Sequence, residues 1–325
     1  MSEVILSREG LRARSAPLWL DATRKTACSF VSHAHGDHIG RHLEAIGTPA
    51  TLALMGHRLQ GAKTVHRQVE YGRSFRIGPL ELELFSAGHV LGSAQIRITV
   101  RGHRTVYTGD LNTAPSRTAA AVEVAACDTL VIESTFGHPR YRFPPRSEVE
   151  DRIAAFAGEV LDAGVTPVFF AYSLGKSQEA VKILGERGFK VRVHPEAWAI
   201  CEIYSAHGVR FPNAAPLSPE AEAGEVIVAP PRTREFRAWN RRGPIRTCFL
   251  SGWAIDPGAR YRSRVDAAIP LSDHADFDGL VDYAKATGAS RVLTTHGSAD
   301  DLARELRARG VDARAMNPSP QLELF

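Results

Sequence analysis

Four side chains that can bind a metal fall within the run His33-Ala34-His35-Gly36-Asp37-His38, which follows the apolar stretch Cys28-Ser29-Phe30-Val31-Ser32. His33 and His35 are two apart, so in an extended chain both imidazoles leave the same side. Gly36 suits a turn, and the spacing predicts a helix from Asp37 to about Ile46. One strand-to-helix corner could then offer a ligand pair to each of two adjacent cations. Histidine with carboxylate fits zinc, manganese or iron(II), whereas an all-oxygen set would fit magnesium or calcium. A solvated histidine-rich loop is the competing reading, and it suits a lone histidine far better than this pattern.

Further candidate ligands close predicted strands. Asp21 follows Leu18-Trp19-Leu20, His89 follows Ser86-Ala87-Gly88, and Asp110 follows Val106-Tyr107-Thr108-Gly109. Glu133 ends Leu130-Val131-Ile132, His274 lies in Leu271-Ser272-Asp273-His274, and His296 ends Val292-Leu293-Thr294-Thr295. Loops at strand ends converge on one rim of layered α/β folds, so this recurrence argues for a shared site.

The elements that must position these residues change texture along the chain. Strands are predicted at 18–20, 28–32, 80–85, 95–100 and 105–108, with 101–104 as a hairpin turn, followed by an apolar strand at 129–133. From about 144 to 231, helices and apolar strands alternate. A helix is predicted over 147–163, with Ser147 and Glu150 as a capping box. Strands at 167–172, 190–194 and 225–229 and helices at 175–188 and beyond 194 follow. That βαβ rhythm predicts a small parallel-sheet domain. The last quarter repeats strand and helix, at 247–250, 268–270, 277–286, 291–295 and 300–309.

Of the 325 residues, 44% are hydrophobic and 23% charged, the proportions of a soluble globular chain. No apolar run approaches the roughly 20 residues that span a bilayer, and the N-terminus lacks the apolar core of a signal peptide. Cys28, Cys127, Cys201 and Cys248 are dispersed, which reads as free thiols in a reducing cytoplasm. The formal net charge of +4 permits a polyanionic substrate without requiring one. The cluster Arg232, Arg234, Arg237, Arg241 and Arg242 reads equally as a phosphate contact or a solvated helix face.

The series HAHGDH, AGHVLGS and YTGD resembles the metallo-β-lactamase fold. The later IEST, SDHAD and TTHG segments, with a helix-strand insert between, resemble its β-CASP branch of nucleases. The match runs in order over most of the chain. Within the branch it is most similar to the bacterial ligase-associated DNA exonucleases, relatives of the Artemis nucleases. The resemblance implies an α/β protein: an αββα metallo-β-lactamase sandwich at 1–139 and 251–325, with an inserted β-CASP domain at 140–250 and an active site in the cleft between them. It implies two divalent ions, zinc or manganese. His33, His35, His89 and Asp110 would hold one, while Asp37, His38, His296 and the bridging Asp110 would hold the other. Asp21 would fix histidine tautomer and orientation from behind the ligands. Glu133 and His274 would form an acid pair, His274 giving a proton to the leaving oxygen or stabilising the phosphate. RNA-processing members carry a histidine at the last motif that DNA-processing members of higher organisms often lack; the ligase-associated group retains it, so His296 leaves DNA as the expected substrate.

Two further segments invite a binding role. Ser173, Lys176 and Ser177 open a predicted helix and could meet a phosphate, although an ordinary helix cap competes and the Walker spacing is absent. At the C-terminus, Gln321-Leu322-Glu323-Leu324-Phe325 follows a proline-containing linker from residue 316. It resembles the peptide by which bacterial DNA-processing proteins dock to the sliding clamp, against the alternative of an edge strand. The expected function is therefore a cytoplasmic, metal-dependent DNA exonuclease with no membrane association. It would act on single-stranded ends with 5′-to-3′ polarity, in repair and in association with a DNA ligase. A ribonuclease of the same family and a catalytically silent nucleic-acid-binding protein are the rivals.

Overall fold

The stretch Leu80-Glu81-Leu82-Glu83-Leu84 buries its leucines and exposes Glu81, and this period of two makes a strand with one face in the core. In the computed structural model, residues 2–7, 10–218, 224–231 and 243–316 are described. They divide between one unit of Met1–Pro115, Ala119–Arg142 and His274–Phe325 and a second of Ser116–Thr118 and Phe143–Asp273.

The first unit holds two sheets. Strands β1 (Val4–Ser7), β2 (Gly10–Ala13), β3 (Trp19–Leu20), β4 (Cys28–Phe30), β5 (Glu44–Gly47) and β6 (Val65–Gln68) pair in sequence order, with α1 (Pro49–Arg58) connecting the last two. The second sheet begins with β7 (Phe75–Ile77), β8 (Leu80–Ser86), β9 (Ala94–Val100), β10 (His103–Tyr107) and β11 (Thr129–Glu133). Arg101 and Gly102 both have positive φ, 49° and 80°, and join β9 to β10 by a two-residue turn of the primed kind that matches strand twist.

The second unit follows as α2 (Arg146–Asp162), β12 (Thr166–Phe170), α3 (Lys176–Glu186), β13 (Val191–Val193), α4 (Pro195–Ala206), β14 (Ala214–Pro216), β15 (Val226–Ala229), β16 (Ile245–Leu250), α5 (Ala259–Ser263) and β17 (Ala267–Ile269). Its sheet is parallel throughout, in the order β14-β13-β15-β12-β16-β17. Ile153, Phe156, Val181 and Cys201 from its helices meet Phe169, Val193 and Val228 on one sheet face. The sequence placed the end of this domain at 250, but Leu250 pairs with Ile269 and the unit runs on to Asp273.

The chain returns to the first unit with α6 (Phe277–Ala286), β18 (Arg291–Thr295), α7 (Ala299–Ala308) and β19 (Ala313–Ala315), which complete the second sheet as β19-β18-β11-β10-β9-β8-β7. Neighbouring residues on β10 and β11 face opposite ways. Tyr107 and Val131 join Phe30, Ile46, Leu82 and Ile96 between the two sheets, while Val106, Leu130 and Ile132 meet Phe277, Leu280, Leu302 and Leu306 of the outer helices. With α1 against β5, the layers read α-β-β-α. No helix among the described residues is long and apolar enough to cross a membrane. The four cysteines are free, and burial first of all pushes Cys28 and Cys201 up to about 12 and Cys127 to about 11, which makes poor nucleophiles of them.

Two local expectations are corrected. No helix spans 37–46: residues 44–47 form β5, drawn into register with β4 by the pairs Cys28–Glu44 and Phe30–Ile46. The helix begins later, at Pro49, whose fixed φ suits the first helical position. The capping box of Ser147 and Glu150 also fails to form. The helix already starts at Arg146, and the buried Glu150 accepts instead from Arg117 Nε at 2.9 Å.

Thr48 ties the start of α1 to a neighbouring loop. Its hydroxyl oxygen accepts from Thr51 N at 3.2 Å and donates to Gly92 O at 2.7 Å. Replacing Thr48 by Ala is expected to cost about 1–2 kcal/mol, read as a lower denaturation midpoint with an unchanged slope.

Candidate metal centre

Asp21 leaves β3 with φ +50°, a conformation uncommon outside glycine and often found at functional sites. Its Oδ1 accepts from Ser32 N at 2.6 Å, and its Oδ2 accepts from Ser32 Oγ at 2.6 Å and Tyr107 Oη at 2.8 Å. The same Oδ2 lies 3.0 Å from His38 Nδ1. Ser32 Oγ, having given its hydrogen to Asp21, can accept from His33 Nδ1 at 3.0 Å. The carboxylate thus sets both tautomers: His33 and His38 carry hydrogen on Nδ1 and turn Nε2 toward Asp110, at 3.4 and 3.5 Å. Ser32 and Tyr107 escaped the sequence reading. Tyr107 is 1% exposed, and a buried tyrosine hydroxyl in an apolar strand needs a partner, which was the available signal.

Glycines bring the other ligand loops in. Gly88 has φ +74°, and a Cβ there would lie 2.2 Å from Asn112 O; Gly109 has φ +56°, and a Cβ there would meet Ser32 Cβ at 2.5 Å. His89 and Asp110 follow them directly. The ligand atoms of His33, His35, His89 and Asp110 all lie within 4.8 Å of one another. His33 Nε2 and His89 Nε2 approach the same His35 Nδ1, at 3.0 and 3.1 Å. A proton on His35 can point at only one of them, whereas a cation satisfies all three nitrogens and Asp110 together. The set therefore fits a divalent metal, with histidine-rich chemistry suited to zinc or manganese.

A second group adjoins it through Asp110. His38 Nε2 is 3.8 Å from Asp37 Oδ2, whose side chain is 82% exposed, and the His38 and His296 rings are centred 5.8 Å apart. His296 Nε2 is buried without a hydrogen-bond partner, a costly state for a polar atom that a cation would relieve. His296 sits at φ +60°, and Ser134 Oγ donates to the carbonyls of Thr295 and His296 at 2.9 and 2.6 Å. His274 stands on the other side of Asp110. Its Nδ1 is 3.0 Å from Glu133 Oε1 and its Nε2 is 3.9 Å from Asp110 Oδ2. Glu133 is wholly buried and accepts from Leu111 N at 2.7 Å and Thr135 N at 3.2 Å.

The charges are mutually adjusted. Burial pushes the His33 imidazole well below its ordinary value, with the charge on His38 adding to the effect. Burial opposes His38 too, but Asp110 and Asp21 outweigh it and lift it to about 10. Burial raises Asp110 to about 6 against the pull of His38 and His274. For Glu133 burial loses: the His274 charge and hydrogen bond, with the Leu111 and Thr135 amides, hold it below the usual carboxylate value.

Ser173, Lys176 and Ser177 lie in the second unit and are otherwise engaged. Ser173 Oγ donates to Glu196, Lys176 Nζ pairs with Asp273, and the wholly buried Ser177 donates to Ala171 O at 3.1 Å. The Gly175 N–H at the start of α3 is taken by Gln178 Oε1 at 2.8 Å. Each of the three side chains thus has a partner inside the second unit. The Gln321, Leu322, Leu324 and Phe325 positions and the arginines at 232–242 lie outside the described residues.

Such a double-sheet sandwich with histidines and aspartates at its strand ends defines a class. Residues 7–163 match the beta-lactamase superfamily domain. The chain is 40% identical over 308 residues to a probable DNA ligase of Opitutus terrae, a match covering 94% of this chain and 30% of that protein. It is 29% identical over 313 residues to RNase aCSPSF2 of Saccharolobus solfataricus, covering 86% of this chain and 61% of that one. An uncharacterized protein in the lig 3′ region of Acidianus ambivalens is 34% identical over 121 residues, 37% of this chain and 82% of its own. Among solved structures, a protein of unknown function from Enterococcus faecalis V583 shares the fold, with TM-score 0.62 over 91% of this chain and 80% of that chain at 13% identity. The chain belongs to the metallo-β-lactamase superfamily, in its β-CASP branch. It spans less than two thirds of the length of the DNA ligase and RNase relatives.

Two outcomes follow from the centre. Asp21→Asn is expected to weaken zinc binding about 10–100-fold, measured by competition with a chromophoric chelator. Because His38 stays protonated up to about pH 10, a cation must displace its proton. Zinc affinity should therefore fall about tenfold for each unit of falling pH near neutrality, and a flat profile between pH 6 and 8 would contradict the assignment.

Proposed function

We propose that the chain is a metal-dependent nuclease that hydrolyses phosphodiester bonds of DNA, working on single-stranded ends in the 5′-to-3′ direction during repair. The observation that carries this reading is the place of Asp110, whose carboxylate faces His33 and His89 on one side, His38 on another, and His274 Nε2 at 3.9 Å. In it, His33, His35, His89 and Asp110 hold one cation, and Asp37, His38, His296 and Asp110 the other. Two divalent cations supply Lewis-acid activation of water and of the phosphodiester. The chain's own share is orientation and proton control. Asp21 keeps the imidazole lone pairs aimed, and Glu133 fixes the His274 ring with hydrogen on Nδ1. His274 then has Nε2 to hold a proton for the leaving sugar oxygen.

DNA is favoured by similarity over 94% of this chain to 30% of a protein named as a probable DNA ligase, and by the relative in the lig 3′ region. A ribonuclease is the second reading, supported by similarity over 86% of the chain to a protein named as an RNase. In the same proposal, Gln321-Leu322-Glu323-Leu324-Phe325 docks to a sliding clamp and the nuclease works beside a DNA ligase in the cytoplasm.

End-labelled DNA and RNA strands of one sequence, incubated with zinc or manganese, test the reading. Progressive shortening of DNA from its 5′ end is expected, and His274→Ala should lower kcat about 10²–10⁴-fold with metal content unchanged. Shortening of RNA alone would replace it by the ribonuclease. No metal-dependent turnover of either strand would leave only a silent binding protein.

A further inference from the structure

The loops that flank the metal-binding run carry exposed cations. Arg24 and Lys25 are exposed in the loop after Asp21. That loop packs on the continuation of the run: a Cβ at Gly40 would lie 2.8 Å from Ala22 O and 2.9 Å from Thr23 O, and Leu43 N donates to Thr26 O at 2.9 Å. Arg41 is exposed between these two points, and its Nη2 donates to Gln60 O at 3.4 Å, which ties it to the residues just after α1. Arg58, exposed at the end of α1, brings Nη2 to 3.7 Å from where a Cβ would stand at Gly36, in the middle of the run. Because Gly36 has no side chain, the guanidinium has room to lie against the loop beside His35 and Asp37.

None of these four cations has a carboxylate partner among the described residues, whereas exposed arginines elsewhere in the same unit, such as Arg76 and Arg291, are paired with Glu81 and Asp312. The acidic group nearest to hand in the run is Asp37, whose role in the nuclease reading is to face a cation. What remains at this rim is unneutralised positive charge on three adjoining segments. Such a rim suits a ligand with repeated phosphates, which guanidinium forks and ammonium groups bind without regard to base.

We propose that Arg24, Lys25, Arg41 and Arg58 form a phosphate track that grips the strand next to the scissile group, an inference that rests on the nuclease reading and gives it a path for the substrate. The track is electrostatic and indifferent to sequence, so it acts on strand affinity rather than on the chemical step.

Its test uses the full chain, a fluorescent oligothymidylate and a series of salt concentrations. For metal-free protein, anisotropy should show the slope of log K against log [salt] shrinking by about 0.7 for each phosphate left unneutralised in the variant R24A/K25A/R41A/R58A. The control R73A/R101A, which removes exposed cations from other loops, should keep the wild-type slope. With manganese, the variant should show a KM for the strand raised at least tenfold. Its turnover of bis(p-nitrophenyl) phosphate, too small to reach the track, should be unchanged. A slope unaltered in the variant, or lowered equally in the control, would overturn the track while wild-type cleavage left the nuclease standing. Parallel loss of small-diester turnover would also overturn it, since the rim would then be supporting the metal-binding loop. A wild-type chain that neither binds the strand nor cleaves either ester would overturn both.

Discussion

The histidine cluster depends on one carboxylate that stands behind the imidazole nitrogens facing Asp110. Asp21 gathers hydrogen bonds from the Ser32 backbone and hydroxyl, from Tyr107 and from His38, and thereby joins β3, the end of β4 and β10 at one point. An imidazole has two tautomers and can rotate, so a histidine-rich loop alone would present nitrogens in many combinations. A buried anion that accepts only from Nδ1 removes most of them. Tyr107 assists because burial and Asp21 both push its hydroxyl well above the ordinary tyrosine value, so it remains a donor. His33 and His38 consequently share Asp21 behind them and the Asp110 carboxylate in front.

That arrangement concentrates incompatible charges. His33 is driven toward neutrality, while His38, about as buried, is driven toward the charged form by the carboxylates on either side. A core made this way contributes little to folding by itself, because buried polar groups are stabilising only when all are satisfied. Stability comes from elsewhere, from the apolar layer between the sheets and the layer beneath the outer helices. The sandwich holds the polar rim together, and the rim holds its own protons in place.

Much of this was legible in the sequence because polar residues at the ends of apolar strands stand out. His33, His35, His89, Asp110, Glu133, His274 and His296 were each found by that signal, and the structure brings them to one rim of the first unit. What was not legible came from long-range pairing. The segment 44–47 has helical neighbours, yet parallel pairing to β4 makes it a strand. Ser147 and Glu150 have the spacing of a cap, but Arg117, distant in sequence, claims the carboxylate. The partner of Lys176, Asp273, lies 97 positions away and could not be read from its neighbours. Ser32 and Tyr107 were hidden for the opposite reason, since each sits in an apolar stretch where a hydroxyl reads as packing.

The Glu133–His274 contact links the last residue of β11 to the first residue after the chain returns, across 141 positions. It closes a loop that contains Phe143–Asp273, the larger part of the second unit. Loop closure of that length carries an entropic penalty unless the intervening chain has already folded and drawn its ends together. The histidine therefore reports on the state of the inserted unit. A nascent or locally unfolded molecule keeps the His33 to His38 run but holds Glu133 without its imidazole. Completion of the Glu133–His274 pair thus waits on the folding of the insert.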